Sequence, residues 1–295
     1  MKRVESELTI ADIAVAMTRA MPVSTIAQFE TKECAFAVRD AGRYRMQWFH
    51  SQDGDSLSVR IIAKSPRSPS VLGIPSAVVD WIGESHGLIL IAGATGAGKS
   101  TTMSSLTMER AAMGPSNIIT LEDPIELPLT HERSRIVQRE LGRDFNDYTQ
   151  AVREALRQDP DVLIIGEIRD AQTLRWALLA AQTGHLVITT VHAQDAAQVI
   201  QRTVGLMPAA EQTTMRGILA EVLIGIAVQQ MQGVGMGRRP AFEVLTATHA
   251  VRALIREDKV AQIPNAIATG AAVGMVSMED SVRRMQLATV RAGSL

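Results

Sequence analysis

The sequence predicts an α/β fold built around a phosphate-binding loop, with a small α+β module ahead of it. Three observations carry this. Gly93-Ala94-Thr95-Gly96-Ala97-Gly98-Lys99-Ser100 reads G-x-x-x-x-G-K-S. The apolar run Leu88–Ala92 precedes it and helix-forming residues from Thr101 to Ala112 follow, the strand–loop–helix context that a phosphate loop requires. From Gly87 onward, apolar runs alternate with helical patterns, which argues for a mostly parallel sheet covered on both faces.

Composition sets the outer bounds. The chain has 295 residues, a hydrophobic fraction of 46% and a formal net charge of -1. It is long enough for one large domain or a domain with a smaller companion. No apolar stretch approaches the roughly 20 residues that span a bilayer. No apolar signal core follows Met1 to Glu7. The single cysteine, Cys34, excludes a disulfide or a cysteine-rich zinc cluster within one chain. These features predict a cytoplasmic protein. Near-zero charge and an aromatic content of 3% argue against a nucleic-acid partner. Lysine occurs only at positions 2, 32, 64, 99 and 259, so positive charge is mostly arginine. Arginine suits phosphate contacts and subunit interfaces, and a GC-rich genome produces the same bias.

In chain order, Leu8 to Met21 has the apolar spacing of an amphipathic helix. Cys34–Val38, Gly42–Phe49 and Leu57–Ile62 read as strands, with Asp53-Gly54 as a hairpin turn. Residues 1–64 are therefore expected to form a short N-terminal domain. The stretch 65–72, with two prolines and three serines in Ser65–Ser70, reads as a linker. Pro75 to Glu84 reads as a helix opening the main domain, 73–295. Its expected strands are Leu88–Ala92, Asn117–Leu121, Val162–Ile165 and Leu186–Thr190. After His192 the pattern reads as helical, over Ala196–Gly205, Ala209–Met231 and Ala247–Arg256. Gly233–Gly237 reads as a flexible turn, and Gly270–Leu295 as a loop and one helix.

The polar motifs follow the strands, where ligands of such sheets bind. In the loop, Gly93, Thr95, Gly96, Ala97 and Gly98 would turn backbone N–H groups toward an anion, with the helix dipole beneath. Lys99 would reach the β- and γ-phosphates. Ser100 would ligate Mg²⁺, and Thr101 continues the nucleotide-binding run. Asp161 to Glu167 is an apolar strand ending in an acid, so Glu167 would hold Mg²⁺ directly or through water. Thr120 to Glu126 carries three carboxylates; Glu122 would activate the attacking water, with Asp123 and Glu126 in support or on metal. His192 could sense the γ-phosphate, and His185 either bonds a neighbouring motif or is structural. Arg45 and Arg60, at strand ends, read from residue type as solvated arginines or as cations reaching a phosphate.

Together G-A-T-G-A-G-K-S-T (93–101), T-L-E-D-P-I-E (120–126), A-L-R-Q-D-P-D-V-L-I-I-G-E-I-R-D (155–170) and T-G-H-L-V-I-T-T-V-H (183–192) resemble the secretion ATPase superfamily of type II secretion and type IV pili. The segment A-V-R-A-L-I-R-E-D-K (250–259) is similar to a helix motif of its PilT-type retraction ATPases. Assembly ATPases commonly carry a four-cysteine element after the His box, and this chain has none there. The resemblance implies a RecA-like phosphate-loop motor domain and a PAS-like N-terminal domain, with nucleotide between them. It makes Arg45 and Arg60 the arginines that reach the phosphates, Glu122 the catalytic glutamate and Glu167 the glutamate acting through Mg²⁺. It further implies ATP and Mg²⁺ as cofactors. The expected partners are self, as a homohexamer, an inner-membrane pilus platform protein and other pilus ATPases. The place of action would be the cytoplasmic face of the bacterial inner membrane, and the work would be pilus retraction in twitching-type motility. Two departures stand out. The usual opening strand is not recognisable before Glu30, so the N-terminal domain looks shortened, and the His box reads T-T-V-H. An assembly, secretion or conjugation ATPase and a weakly hydrolysing regulatory subunit are the alternatives.

Overall fold

The structure, a computed structural model, describes residues 33–38, 42–52, 54–62, 65–233 and 238–292. The expected helix over Leu8–Met21, the segment before Glu30, Asp53 and the centre of the Gly233–Gly237 turn lie outside the described residues. The chain divides into two compact units, residues 1–65 with 126–128, and residues 66–125 with 129–295.

The described part of the first unit is a three-stranded antiparallel sheet: β1 (Glu33–Val38), β2 (Gly42–Ser51) and β3 (Gly54–Ile62), in that order. Ser51 pairs with Gly54, so the hairpin connection is two residues long and Gly54 already belongs to β3. Both strands run longer than the sequence predicts. Arg45 and Arg60 are direct cross-strand partners, which puts the two positions in one row of the sheet.

The second unit opens with short helices, α1 (Pro69–Leu72) and α2 (Ser76–Trp81). Helix α1 occupies the second half of the stretch 65–72: proline at its first position is preset for a helix, and Pro69 is buried. Then follow β4 (Gly87–Ala92), α3 (Lys99–Met113), β5 (Asn117–Glu122), β6 (Arg135–Glu140), α4 (Tyr148–Ala155) and β7 (Val162–Ile165). The remainder is α5 (Ala171–Gln182), β8 (Leu186–Val191), α6 (Ala196–Gly205), α7 (Gln212–Val222), β9 (Leu223–Gln232), β10 (Arg239–Thr246), α8 (His249–Arg256), α9 (Ile263–Thr269) and α10 (Met278–Ala292). The sheet has seven strands in the order β10-β9-β4-β8-β7-β5-β6. All neighbours are parallel except the β9–β10 pair.

Strand β4 shows why the fold closes. All six of its residues are buried. Leu88, Leu90 and Ala92 enter the core under α4 to α9, while Ile89 and Ile91 enter the core under α2 and α3. A strand covered on both faces reads as a continuous apolar run. The helices begin where a side chain can cap them: Asp147, Asp170, Asp195 and Thr248 each accept a hydrogen bond from the backbone N–H three residues on, which satisfies an otherwise orphaned donor.

The helical reading of Ala209–Met231 fails at Val222. Leu223-Ile224-Gly225-Ile226-Ala227-Val228 is the start of β9, paired with β4 on one side and β10 on the other. A short apolar run is ambiguous between buried strand and buried helix. Its β-branched residues and Gly225 are what tip it: a Cβ at Gly225 would lie 2.3 Å from the Trp81 ring. Strands β6 and β10 also went unread, because each is an outer strand with a mixed polar sequence. Among the described residues, no helix is long and apolar enough to cross a membrane.

Candidate functional site

The carboxyl ends of β4, β8, β7 and β5 lie side by side, so four motifs distant in sequence meet on one edge. From β4 the chain enters the 93–98 loop, and α3 begins at Lys99. Gly93 and Gly98 have φ of 149° and 91°. Both also lie against Gln229 of β9: a Cβ at Gly93 would be 2.4 Å from its carbonyl oxygen, and one at Gly98 would be 2.9 Å from its side-chain Nε2. Only glycine meets both demands. Gln229 is buried, and its Oε1 accepts from the Thr102 hydroxyl at 2.8 Å. It ties the first turn of α3 to the sheet.

Ala94, Thr95 and Gly96 form the exposed tip of the loop, Ala97 is buried, and Ser100 and Thr101 are half-buried in the first turn of α3. Lys99 is buried and folds back over the loop. Its Nζ donates to the carbonyls of Gly93 and Ala94 at 2.9 and 3.1 Å and lies 3.4 Å from Nδ1 of His192. Burial lowers the Lys99 pKa, and the Glu167 charge opposes that shift. His192, just past β8, is pushed down chiefly by burial and then by Lys99. A neutral imidazole accepts at Nδ1 from the ammonium. Its Nε2 is 3.6 Å from Glu167. Lys99, His192 and Glu167 thus form one chain across the ends of β4, β8 and β7.

Glu167 is ion-paired with Arg169, which also reaches Asp123 at 3.4 Å. Gly166, the residue before Glu167, is fixed on both sides. Its N–H donates to the Leu121 carbonyl at 2.7 Å, and its carbonyl accepts from the Thr190 hydroxyl at 2.6 Å. Glu122 ends β5. One of its carboxylate oxygens accepts from the Thr120 hydroxyl at 2.7 Å and from the Gln138 amide at 2.9 Å. Gln138, on β6, is itself oriented by the Leu129 N–H, which donates to its Oε1 at 2.7 Å. These are hard-oxygen groups of the kind that bind Mg²⁺ and phosphate-linked water.

The structure brings Lys99, Glu122, Glu167 and His192 to one edge with the 93–101 loop. His185 is elsewhere. It precedes β8, at the opposite end of that strand, and its Nδ1 lies 3.0 Å from the Ala180 carbonyl at the end of α5, a structural position. Arg45 and Arg60 belong to the first unit, and their side chains lie outside the description. Sequence reasoning missed Gln138 and Gln229. Each is a glutamine inside or closing an apolar run, Ile136-Val137-Gln138 and Ile226-Ala227-Val228-Gln229, a signal that becomes meaningful once those runs are strands.

A family model described as type II/IV secretion system protein matches residues 39–285. Uncharacterized protein YggR of Escherichia coli is 39% identical over 255 residues, 85% of this chain and 78% of that protein. The type IV pilus retraction ATPase PilT of Pseudomonas aeruginosa is 38% identical over 253 residues, 85% and 74% of the two chains. A crystal structure of the pilus retraction motor PilT with bound ADP superposes with a TM-score of 0.80 at 34% identity, covering 94% of this chain and 84% of that one. With the phosphate loop, both glutamates and the histidine on one sheet edge, these matches show that the chain belongs to the type II/IV secretion system protein family, among its PilT-type ATPases.

Proposed function

We propose that this chain is an ATP-hydrolysing motor that powers type IV pilus retraction. The observation that carries the chemistry is the Lys99–His192–Glu167 chain beside Glu122, all at the strand ends around the phosphate loop. The family matches carry the direction of work. Lys99 exchanges its two loop carbonyls for the β- and γ-phosphates, and the loop N–H groups and the α3 dipole hold the remaining oxygens. Ser100 and Glu167 would hold Mg²⁺, Glu167 through water, and the bound ion supplies charge neutralisation on the phosphates. Glu122, held by Gln138 and Thr120, orients and deprotonates the attacking water. His192 links Lys99 to Glu167 and reads whether the γ-phosphate is present.

The same reading extends to assembly. Residues 1–64 would form an N-terminal domain and 73–295 the motor, a division supported by the two compact units. Arg45 and Arg60 would reach the phosphates from that domain. The motor would be a homohexamer working at the cytoplasmic face of the inner membrane on a pilus platform protein, alongside other pilus ATPases.

The test is steady-state ATP hydrolysis and nucleotide binding by the purified protein. Lys99→Ala should abolish turnover. Glu122→Gln should retain ATP binding and lose roughly 10²- to 10⁴-fold in kcat, the range of a general base. Substantial turnover by Lys99→Ala, or a near-normal kcat for Glu122→Gln, would remove the assigned roles.

A further inference from the structure

Gln229 lies on β9, the neighbour of β4 on the side away from β8 and His192. It is 2% exposed, and it backs the phosphate loop at both ends. At the start of the loop, a Cβ at Gly93 would lie 2.4 Å from the Gln229 main-chain carbonyl oxygen. At the end of the loop, a Cβ at Gly98 would lie 2.9 Å from the Gln229 side-chain Nε2. One residue of β9 therefore sits against both glycines that bound the loop, through its backbone at one and its amide at the other.

Helix α3 sets the orientation of that amide. The Thr102 hydroxyl donates to Gln229 Oε1 at 2.8 Å, and the Thr102 N–H donates to the Gly98 carbonyl at 3.0 Å. Gly98, Thr102 and Gln229 thus close a triangle under the first turn of α3. Thr102 is buried as well, so the bond between the two side chains is made away from water. With Oε1 engaged by Thr102, the N–H end of the amide is the end turned to Gly98. Volume alone does not call for glutamine here, since methionine fills a similar space without the cost of burying an amide. The polarity has a use, because the loop must hold an anion. The N–H end of an amide carries partial positive charge, the same sign as the loop N–H groups and the N-terminus of α3.

We infer that Gln229 is a positioning residue of the phosphate loop: it holds Gly93 and Gly98 at the separation that presents the loop N–H groups to the β-phosphate, and it turns the positive end of its amide toward the loop that binds that anion. This rests on the ATPase reading above. Gln229 acts through the loop and not on the nucleotide itself. A loop held in shape from behind is ordered before the nucleotide arrives, so binding does not carry that cost. The contribution falls on ADP and ATP alike, because both carry a β-phosphate. An interaction shared in this way by bound substrate and bound product acts on affinity more than on kcat.

The experiment compares two variants of the whole chain. Gln229→Met keeps the length of the side chain and removes both polar ends. Gln229→Glu keeps an acceptor for Thr102 and puts a second oxygen where Nε2 faces the loop. Both are read by affinity for ADP and for a non-hydrolysable ATP analogue, by KM and kcat for ATP, and by Tm, with Lys99→Ala as the inactive control. Affinity for both nucleotides should weaken about tenfold in Gln229→Met, the scale of one hydrogen-bonding group beside a charge, and at least as much in Gln229→Glu. KM should rise by a similar factor, and kcat should fall by less. Wild-type affinity in Gln229→Glu would overturn the proposal, since the Thr102 bond alone would then hold the loop. Wild-type affinity in Gln229→Met would overturn it too, since the amide would then only fill space. A lower kcat with unchanged KM and a lower Tm would also overturn it, as a loss of folded protein. Those outcomes leave the ATPase reading intact so long as Lys99→Ala is inactive beside an active wild type; wild-type turnover no better than Lys99→Ala would defeat both.

Discussion

Gln138 shows how a residue outside every recognisable motif controls one inside. The Glu122 carboxylate is the proposed base, and a carboxylate at a strand end is free to sample several rotamers. The Gln138 amide, itself fixed by the Leu129 N–H, narrows that choice. Gln138→Ala should lower kcat about tenfold while ATP affinity stays near wild type, because misplacing a catalytic group costs rate before it costs binding. Unchanged kcat would show that Glu122 is held in place without Gln138. His192 gives a second test at this scale. Its folded pKa is lowered from the usual histidine value, chiefly by burial and then by Lys99. The unfolded chain therefore binds more protons, and stability falls as pH drops through about 6.5. Wild-type Tm should decline on that descent more steeply than the Tm of His192→Gln. Parallel profiles would mean that the imidazole is not held neutral. The phosphate loop and the two glutamates were legible in the sequence because each belongs to a short run whose residue types the chemistry dictates. Gln138 and Gln229 were not, because their partners lie 16 and 127 residues away.

At the scale of elements, what could be read depended on whether neighbours in sequence or in space decide the structure. Strands β4, β5, β7 and β8 are buried runs followed by polar motifs, and all four were expected within a residue or so. Strand β9 has the same apolar character but follows α7 without a break, so periodicity alone carried the helix too far. Its identity is set by β4 and β10 on either side, and by the fit of Trp81 over Gly225. Gly225→Ala would place a methyl 2.3 Å from that ring. The change should cost about 1–3 kcal/mol of stability, the range for overpacking, measured by chemical denaturation. A neutral result would mean that the Trp81 ring has room to move. The 250–259 segment is α8 with its cap. Ile255 is fully buried, and Arg252 donates to the carbonyls of Ala247, Ala220 and Glu221. Arg252 thereby joins the start of α8 to the end of α7. Part of that motif is therefore architecture of the motor unit.

For the whole molecule, the two compact units meet at Ser65 and Pro66, within the proline- and serine-rich stretch, and α1 starts inside that stretch at Pro69. The three strands of the first unit were readable from alternation and the hairpin signal. The pairing of Arg45 with Arg60 was not, since register appears only when strands are set side by side. The direction of the motor's work is visible in cells. The most direct measurement is the number of surface pili on cells carrying Lys99→Ala at the native locus, beside wild type. A retraction motor stalled at the phosphate loop should leave more pili and abolish twitching movement. Fewer pili, or none, would contradict the retraction reading and assign the same ATPase site to assembly.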